Sequence, residues 1–261
     1  MEIIVRQTAE QGCQLAAAII AELVRRRPDT VLGLATGSTP IGVYRELVRR
    51  HREEGLDFSR VTTFNLDEYV GLEPNHPLSY RRFMAEHLFD HVNTSGDRVH
   101  VPDGTVRDVA LECQAFEDRI RRAGGIDLQL LGLGLNGHIA FNEPSSSLRS
   151  RTRVVTIAPS TAAANFGKLP ADVPRPRRAI TMGVGTILEA RRLLLLAFGE
   201  QKAEVVAKVV EGPLTAFVPG SALQLHENAT VILDEAAASR LVLRDYYRQA
   251  YDDASAARES R

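Results

Sequence analysis

The sequence predicts an α/β protein built on a mostly parallel central sheet. Helix-period segments and short strand-like runs alternate almost without interruption. The later runs, Ala179 to Met182, Leu193 to Phe198 and Ala229 to Leu233, also read as strands buried on both faces and separated by helical segments.

Taken in order, Thr8 with Gln11 forms a capping box ahead of Leu15, Ile19 and Leu23, which recur at helical spacing and predict the inward face of a helix that Pro28 ends. A strand follows over Val31 to Ala35. Pro40 suits a first helical turn, ahead of Tyr44, Leu47 and Val48. Val61 to Leu66 is the next strand. Thr105 with Asp108 predicts a cap for a helix that turns Val109, Cys113, Phe116 and Ile120 inward and stops at Gly124-Gly125. Ile126 to Leu131 is strand-like, and the three later runs bring the sheet to at least six strands. A last helix is expected from about Glu235 to Tyr247. Residues 1–250 read as one domain, because no composition break divides them, and 251–261 as a polar, disordered tail.

Composition narrows the function. With 32 Lys+Arg against 33 Asp+Glu, the chain has no global field to steer nucleic acid or an anionic membrane, and no basic run is interleaved with aromatics. Any anion must be recognised locally. The longest strictly apolar run, Leu193 to Phe198, is too short to span a bilayer, and the N-terminus carries no apolar secretory core, so a cytoplasmic protein is expected. Cys13 and Cys113 lie among apolar residues and are read as buried thiols. A homo-oligomer is compatible with the sequence but not readable from it, because each apolar stripe can equally be core.

Gly132-Leu133-Gly134-Leu135-Asn136-Gly137 fits a dinucleotide-binding pattern after a strand. That fingerprint also needs a helix at its third glycine and an acidic residue about 20 positions on. Pro144 stops any helix within two turns, and Arg151 to Ile157 holds no Asp or Glu, so a nicotinamide cofactor is not expected.

Three features fall at strand C-termini, where open parallel sheets bind ligands. Thr36-Gly37-Ser38-Thr39 is a small hydroxyl-rich turn before a helix, suited to a phosphate through backbone N–H groups and the helix dipole. Asp67 and Glu68 follow a strand. One of the pair should face a pocket as a desolvated base able to remove a proton beside a carbonyl, while the other anchors the loop. His138 lies five positions before Glu143, with Asn136 as a neutral neighbour. A partner that fixes the tautomer lets such an imidazole move a proton between two oxygens near neutral pH. The segment lacks a second histidine, so a metal is not expected there, and His87 with His91 reads as a helix face.

Together, Gly33 to Pro40, Thr62 to Leu72, Gly137 to Pro144 and Ile180 to Leu188 resemble the glucosamine-6-phosphate deaminases, over about Ile3 to Tyr247. The related 6-phosphogluconolactonases share a Gly-His element, but His138-Ile139-Ala140-Phe141-Asn142-Glu143-Pro144 looks like the deaminase version. The resemblance implies a Rossmann-like three-layer α/β/α sandwich and conversion of glucosamine 6-phosphate and water to fructose 6-phosphate and ammonia, with no cofactor and no catalytic metal. It implies that His138 opens the sugar ring with Asn136 and Glu143 as partners, and that Asp67 moves the proton from C2 to C1. Thr36, Gly37, Ser38, Thr39 and Lys202 would hold the phosphate. Three positions depart from the family pattern. Asn136 stands where many members carry aspartate, Gly167 stands where an arginine often reaches the phosphate, with Lys168 beside it, and Val155 replaces a lysine near Arg153 at the effector site of activated members. Weak or absent allosteric activation follows from the last. Rival expectations are a phosphogluconolactonase, a galactosamine-phosphate isomerase and a non-catalytic sugar-phosphate-binding regulator.

Overall fold

The computed structural model describes residues 1–166 and 175–259. Seven parallel strands form the main sheet: β1 (Glu2–Arg6), β2 (Val31–Leu34), β3 (Thr62–Asn65), β5 (Val99–His100), β6 (Leu128–Gly132), β9 (Leu193–Ala197) and β10 (Ala229–Asp234). Their order is β1-β10-β9-β6-β2-β3-β5. A smaller antiparallel sheet joins β4 (Asp67–Tyr69), β8 (Arg178–Thr181) and β7 (Arg153–Thr156), with β8 in the middle.

Alternation along each main-sheet strand feeds two cores. Leu193, Leu195, Val231 and Leu233 enter one with Phe64 and Phe116, while Leu194, Leu196 and Ile232 enter the other with Ala17, Ile20 and Leu47. The helices α1 (Ala9–Arg26), α2 (Ile41–Glu54) and α3 (Tyr80–His87) cover the second face. On the first face lie α4 (Val109–Arg122), α6 (Val184–Leu188) and α7 (Ala203–Val210). The three-layer sandwich is the expected one. Each leucine sealed in these layers contributes about 1.5–3 kcal/mol.

From β2 the chain moves outward to β3, whereas from β6 it moves the other way to β9 and β10. Loops leaving β2 and β6 therefore diverge and open a crevice between them, the topological switch point where such sheets bind ligands.

Several elements differ from the sequence expectation. The centre of the α1 face is Cys13, Ala16, Ala17, Ile20, Ala21 and Val24, with Leu15, Ile19 and Leu23 only flanking it. Closeness to the sheet selects small residues here: a Cβ on Gly12 would lie 2.5 Å from the Phe198 ring. At the same helix Thr8 accepts from Gln11 N, but the Gln11 side chain returns to Gln7 N rather than to Thr8. Helix α4 is capped by Asp108 itself, which accepts from Ala110 and Leu111, while Thr105 turns back to Asp103. The run at 179–182 belongs to the antiparallel sheet, since apolar composition reports burial and not the direction or sheet in which a strand pairs. Strands β1 and β5 were not anticipated.

At the C-terminus, residues 235–240 form turns and the last helix, α8 (Arg244–Glu259), starts later and runs further than predicted. The helix thus includes most of the segment read as a tail from 251 onward, and residues 260–261 lie outside the described ones. Tyr251 explains the extension: its hydroxyl accepts from Arg6 Nη2 at 2.9 Å, and the guanidinium lies 4.8 Å from the ring centroid. No helix of the described residues is long and apolar enough to cross a membrane.

Candidate active site

The chain changes sheets at Leu66. Its N–H donates to Leu34 O in the main sheet, and its carbonyl accepts from Met182 N in the small one. Asp67, the next residue, starts β4 opposite Thr181. This corner sets the two acids apart. Asp67 is 5 % exposed and faces the crevice; burial, and secondarily the Glu68 charge, raises its pKa well above the usual carboxylate value.

Glu68 points the other way and accepts from Tyr69 N, Ser79 Oγ, Tyr80 N and Arg81 N at 2.7–3.0 Å, tying β4 to the start of α3. Glu68→Gln would set an NH2 group against two of these buried donors, a loss of roughly 2–4 kcal/mol. A urea titration should show a lower midpoint with an unchanged slope; an unaltered midpoint would deny Glu68 its anchoring role.

After β6 the segment 132–138 folds into a tight loop, with Gly134 N donating to His138 O and Gly137 N donating to Gly134 O. Its glycines serve purposes unlike those of a dinucleotide loop. Gly137 takes φ +87°, which a side chain would resist, while Gly134 lies under the imidazole, so that a Cβ there would be 2.3–2.4 Å from ring atoms. No helix follows between residues 138 and 152.

The histidine's partners form a chain. Asn136 Nδ2 donates to Glu143 Oε2 at 2.7 Å, which orients the amide and leaves Asn136 Oδ1 facing His138 Nδ1, also at 2.7 Å. An amide oxygen only accepts, so Nδ1 carries the proton and Nε2 keeps its lone pair. Glu143 Oε2 is 3.5 Å from Nδ1, close enough to stabilise the imidazolium without displacing Asn136. Burial would raise the Glu143 pKa, but the nearby His138 ring and hydrogen bonds from Thr161 and Asn136 outweigh it and hold the carboxyl at about 2.

The hydroxyl-rich turn Thr36, Gly37, Ser38 and Thr39 joins β2 to α2, with Gly37 at φ +93° and Pro40 at the helix cap. Lys202 ends a short 3-10 turn after β9 and donates to Leu133 O at 2.5 Å; burial lowers its pKa. One cavity of about 1190 Å³ is lined by Thr36 to Thr39, Asp67, Asn136, His138 and Lys202. Glu143 is not on its wall and supports the histidine from behind. The crevice is ample for a hexose monophosphate, which is smaller than the drug-sized ligands such pockets take.

Helix α5 (Pro159–Phe166) lines the cavity with Thr161 and Asn165, neither of which was anticipated. The Thr161 hydroxyl donates to Glu143 Oε1. Asn165 Nδ2 donates to the Tyr69 hydroxyl at 3.0 Å, which meets the hydroxyl of half-buried Tyr80 at 2.9 Å. No local pattern marks Thr161 in its Ser-Thr-Ala-Ala-Ala setting; Tyr80 could have been suspected only as an aromatic following the acidic block. Arg45 on α2 also lines the cavity and has no hydrogen-bond or ion-pair partner among the described residues.

Gly167 and Lys168 lie outside the described residues. Arg153 and Val155 stand in β7, away from the cavity wall. Arg153 donates to Asn142 Oδ1 at 2.8 Å and Ser146 Oγ at 3.2 Å, and burial lowers its pKa. His87 ends α3 and packs against Phe83, whereas His91 lies in a separate 3-10 turn (Phe89–His91) and bonds Glu86 O, so the two do not share one helix face as expected.

The chain is 52% identical over 252 residues, 97% of each chain, to a glucosamine-6-phosphate deaminase of Arthrobacter sp. (strain FB24). It is 51% identical over 245 residues to glucosamine-6-phosphate deaminase 2 of Bacillus subtilis (strain 168), covering 92% of this chain and 98% of that one. The solved structure of a monomeric glucosamine-6-phosphate deaminase superposes with a TM-score of 0.89 at 45% identity, covering 92% of this chain and all of that one. A 6-phosphogluconolactonase from Trypanosoma cruzi, with TM-score 0.72 and 23% identity, shares the fold. Residues 5–232 match the model of the glucosamine-6-phosphate isomerases/6-phosphogluconolactonase, and the chain belongs to that family.

Proposed function

We propose that the protein is a glucosamine-6-phosphate deaminase, releasing fructose 6-phosphate and ammonia from glucosamine 6-phosphate and water. One observation carries the reading: a desolvated carboxylate, Asp67, and an imidazole with a free Nε2, His138, share a cavity whose wall at Thr36 to Thr39 suits an anion. Lactone hydrolysis needs no carbon base. The buried Asp67 is therefore better accounted for by isomerisation.

With the phosphate on the Thr36 to Thr39 amides and Lys202, its binding energy orients the reacting end of the sugar. His138 Nε2 accepts the proton of the C1 hydroxyl and returns it to the ring oxygen, so the pyranose opens to an aldehyde. Asp67 then takes the C2 proton while the substrate's own ammonium group gives a proton to the aldehyde oxygen, forming a C1–C2 enolamine, and Asp67 delivers its proton to C1. The resulting C2 imine adds water and breaks its C–N bond, and ammonia leaves. Asn136 and Glu143 hold the tautomer that the first step needs.

The test is ammonia release by the purified chain from glucosamine 6-phosphate and from its C4 epimer, with hydrolysis of 6-phosphogluconolactone measured alongside. Ammonia from the glucosamine compound is expected; lactone hydrolysis without ammonia would defeat the assignment.

A further inference from the structure

We propose that Thr161 is a positioning residue for His138: by holding Glu143, its hydroxyl sets the orientation of the Asn136 amide and, through it, the tautomer of the imidazole. Thr161 is 4 % exposed, comes from α5 and meets Glu143 behind the cavity wall, 18 residues away in sequence. The two carboxylate oxygens are divided. Oε1 takes the Thr161 hydroxyl, and Oε2 takes Asn136 Nδ2.

An ionised carboxylate only accepts, so a hydroxyl here must donate, and the amide must present its NH2 side to Glu143. That choice turns Asn136 Oδ1 toward His138, where it faces both Nδ1 at 2.7 Å and the backbone N at 3.2 Å. Helix α5 cannot drift freely, because Asn165 is bonded to Tyr69 and Phe166 is buried with its ring 5.3 Å from that of Tyr69. The hydroxyl therefore reaches Glu143 from an anchored support.

Without the hydroxyl, Glu143 is left with Asn136 as its neutral donor and is free to rotate. The amide can then turn its NH2 group to Nδ1, which favours the tautomer protonated on Nε2. In that form Nε2 has no lone pair to take a proton from sugar. This catalytic consequence rests on the proposed deaminase reading; the effect on the imidazole does not.

The experiment records 15N spectra of the histidine-labelled free protein, with His138 assigned by a His138→Gln control, and steady-state kinetics in parallel. In Thr161→Val the Nε2–H tautomer should rise to about a third or more of the population, with kcat falling about threefold to tenfold and KM staying within about twofold. Thr161→Ser should keep the wild-type tautomer and rate. A folded valine variant with a wild-type His138 spectrum overturns the proposal, whatever its activity; Thr161→Ala replaces it, under the same criterion, if the valine protein does not fold. Should the wild-type chain release no ammonia from any amino-sugar phosphate, the 15N spectra still decide the role of Thr161, and only the deaminase reading falls.

Discussion

Asp67→Asn should abolish exchange of the substrate C2 hydrogen with deuterated solvent and lower kcat by about 10²–10⁴-fold, the usual contribution of a positioned general base. Binding should survive, because an amide keeps the shape of the carboxyl and leaves the anion wall at Thr36 to Thr39 unaltered. The same variant should be more heat-stable at neutral pH. A carboxyl whose folded pKa is raised opposes folding once it must ionise: the penalty is absent below the unfolded value, near 3.9, and grows as pH rises toward the folded value. A neutral amide removes that penalty, so the gain in melting temperature should be present at pH 7 and vanish at low pH. Deuterium exchange at the wild-type rate in the variant would exclude Asp67 as the base.

Gly134→Ala is the second large effect. The backbone at Gly134 is not in the left-handed region, so alanine meets no conformational objection there. Its methyl does: the added carbon would sit 2.3 Å from His138 Cε1 and 2.4 Å from both ring nitrogens. Lifting the ring to van der Waals distance moves it by more than 1 Å and breaks the 2.7 Å contact with Asn136. A displacement of that size costs about 10²-fold in rate. Kinetics at saturating substrate should show this loss while circular dichroism stays unchanged; near-normal turnover would mean that ring position is not critical.

These two sites differ in how readable they are. Asp67 and Glu68 were recognisable as a pair at a strand end, and alternation required that they part company; the family resemblance pointed to Asp67, but residue type and spacing alone did not say which would face the ligand. That depended on Leu66 leaving one sheet for another, a fact written in β8, more than a hundred residues later. Gly134 looked like a turn former. Its actual partner is a ring packed flat on its α-carbon, and no backbone preference signals that. Likewise the α1 stripe was displaced because close packing on the sheet favoured alanines over the larger leucines.

By itself the sequence determined the layer type, through the alternation of helical and strand periods, and the chemical inventory of the crevice: a hydroxyl-rich turn, an acid, a histidine with amide and carboxylate neighbours, and a lysine. Those are local properties of residue type and backbone preference. Only the tertiary structure decided how Asp67 and Glu68 are turned apart, that Asn136 rather than Glu143 lies at hydrogen-bond distance from the imidazole, and that Thr161 meets Glu143. The reason is geometric: a hydrogen bond is won or lost over a few tenths of an ångström, and separations between groups remote in sequence are set by strand register and helix docking.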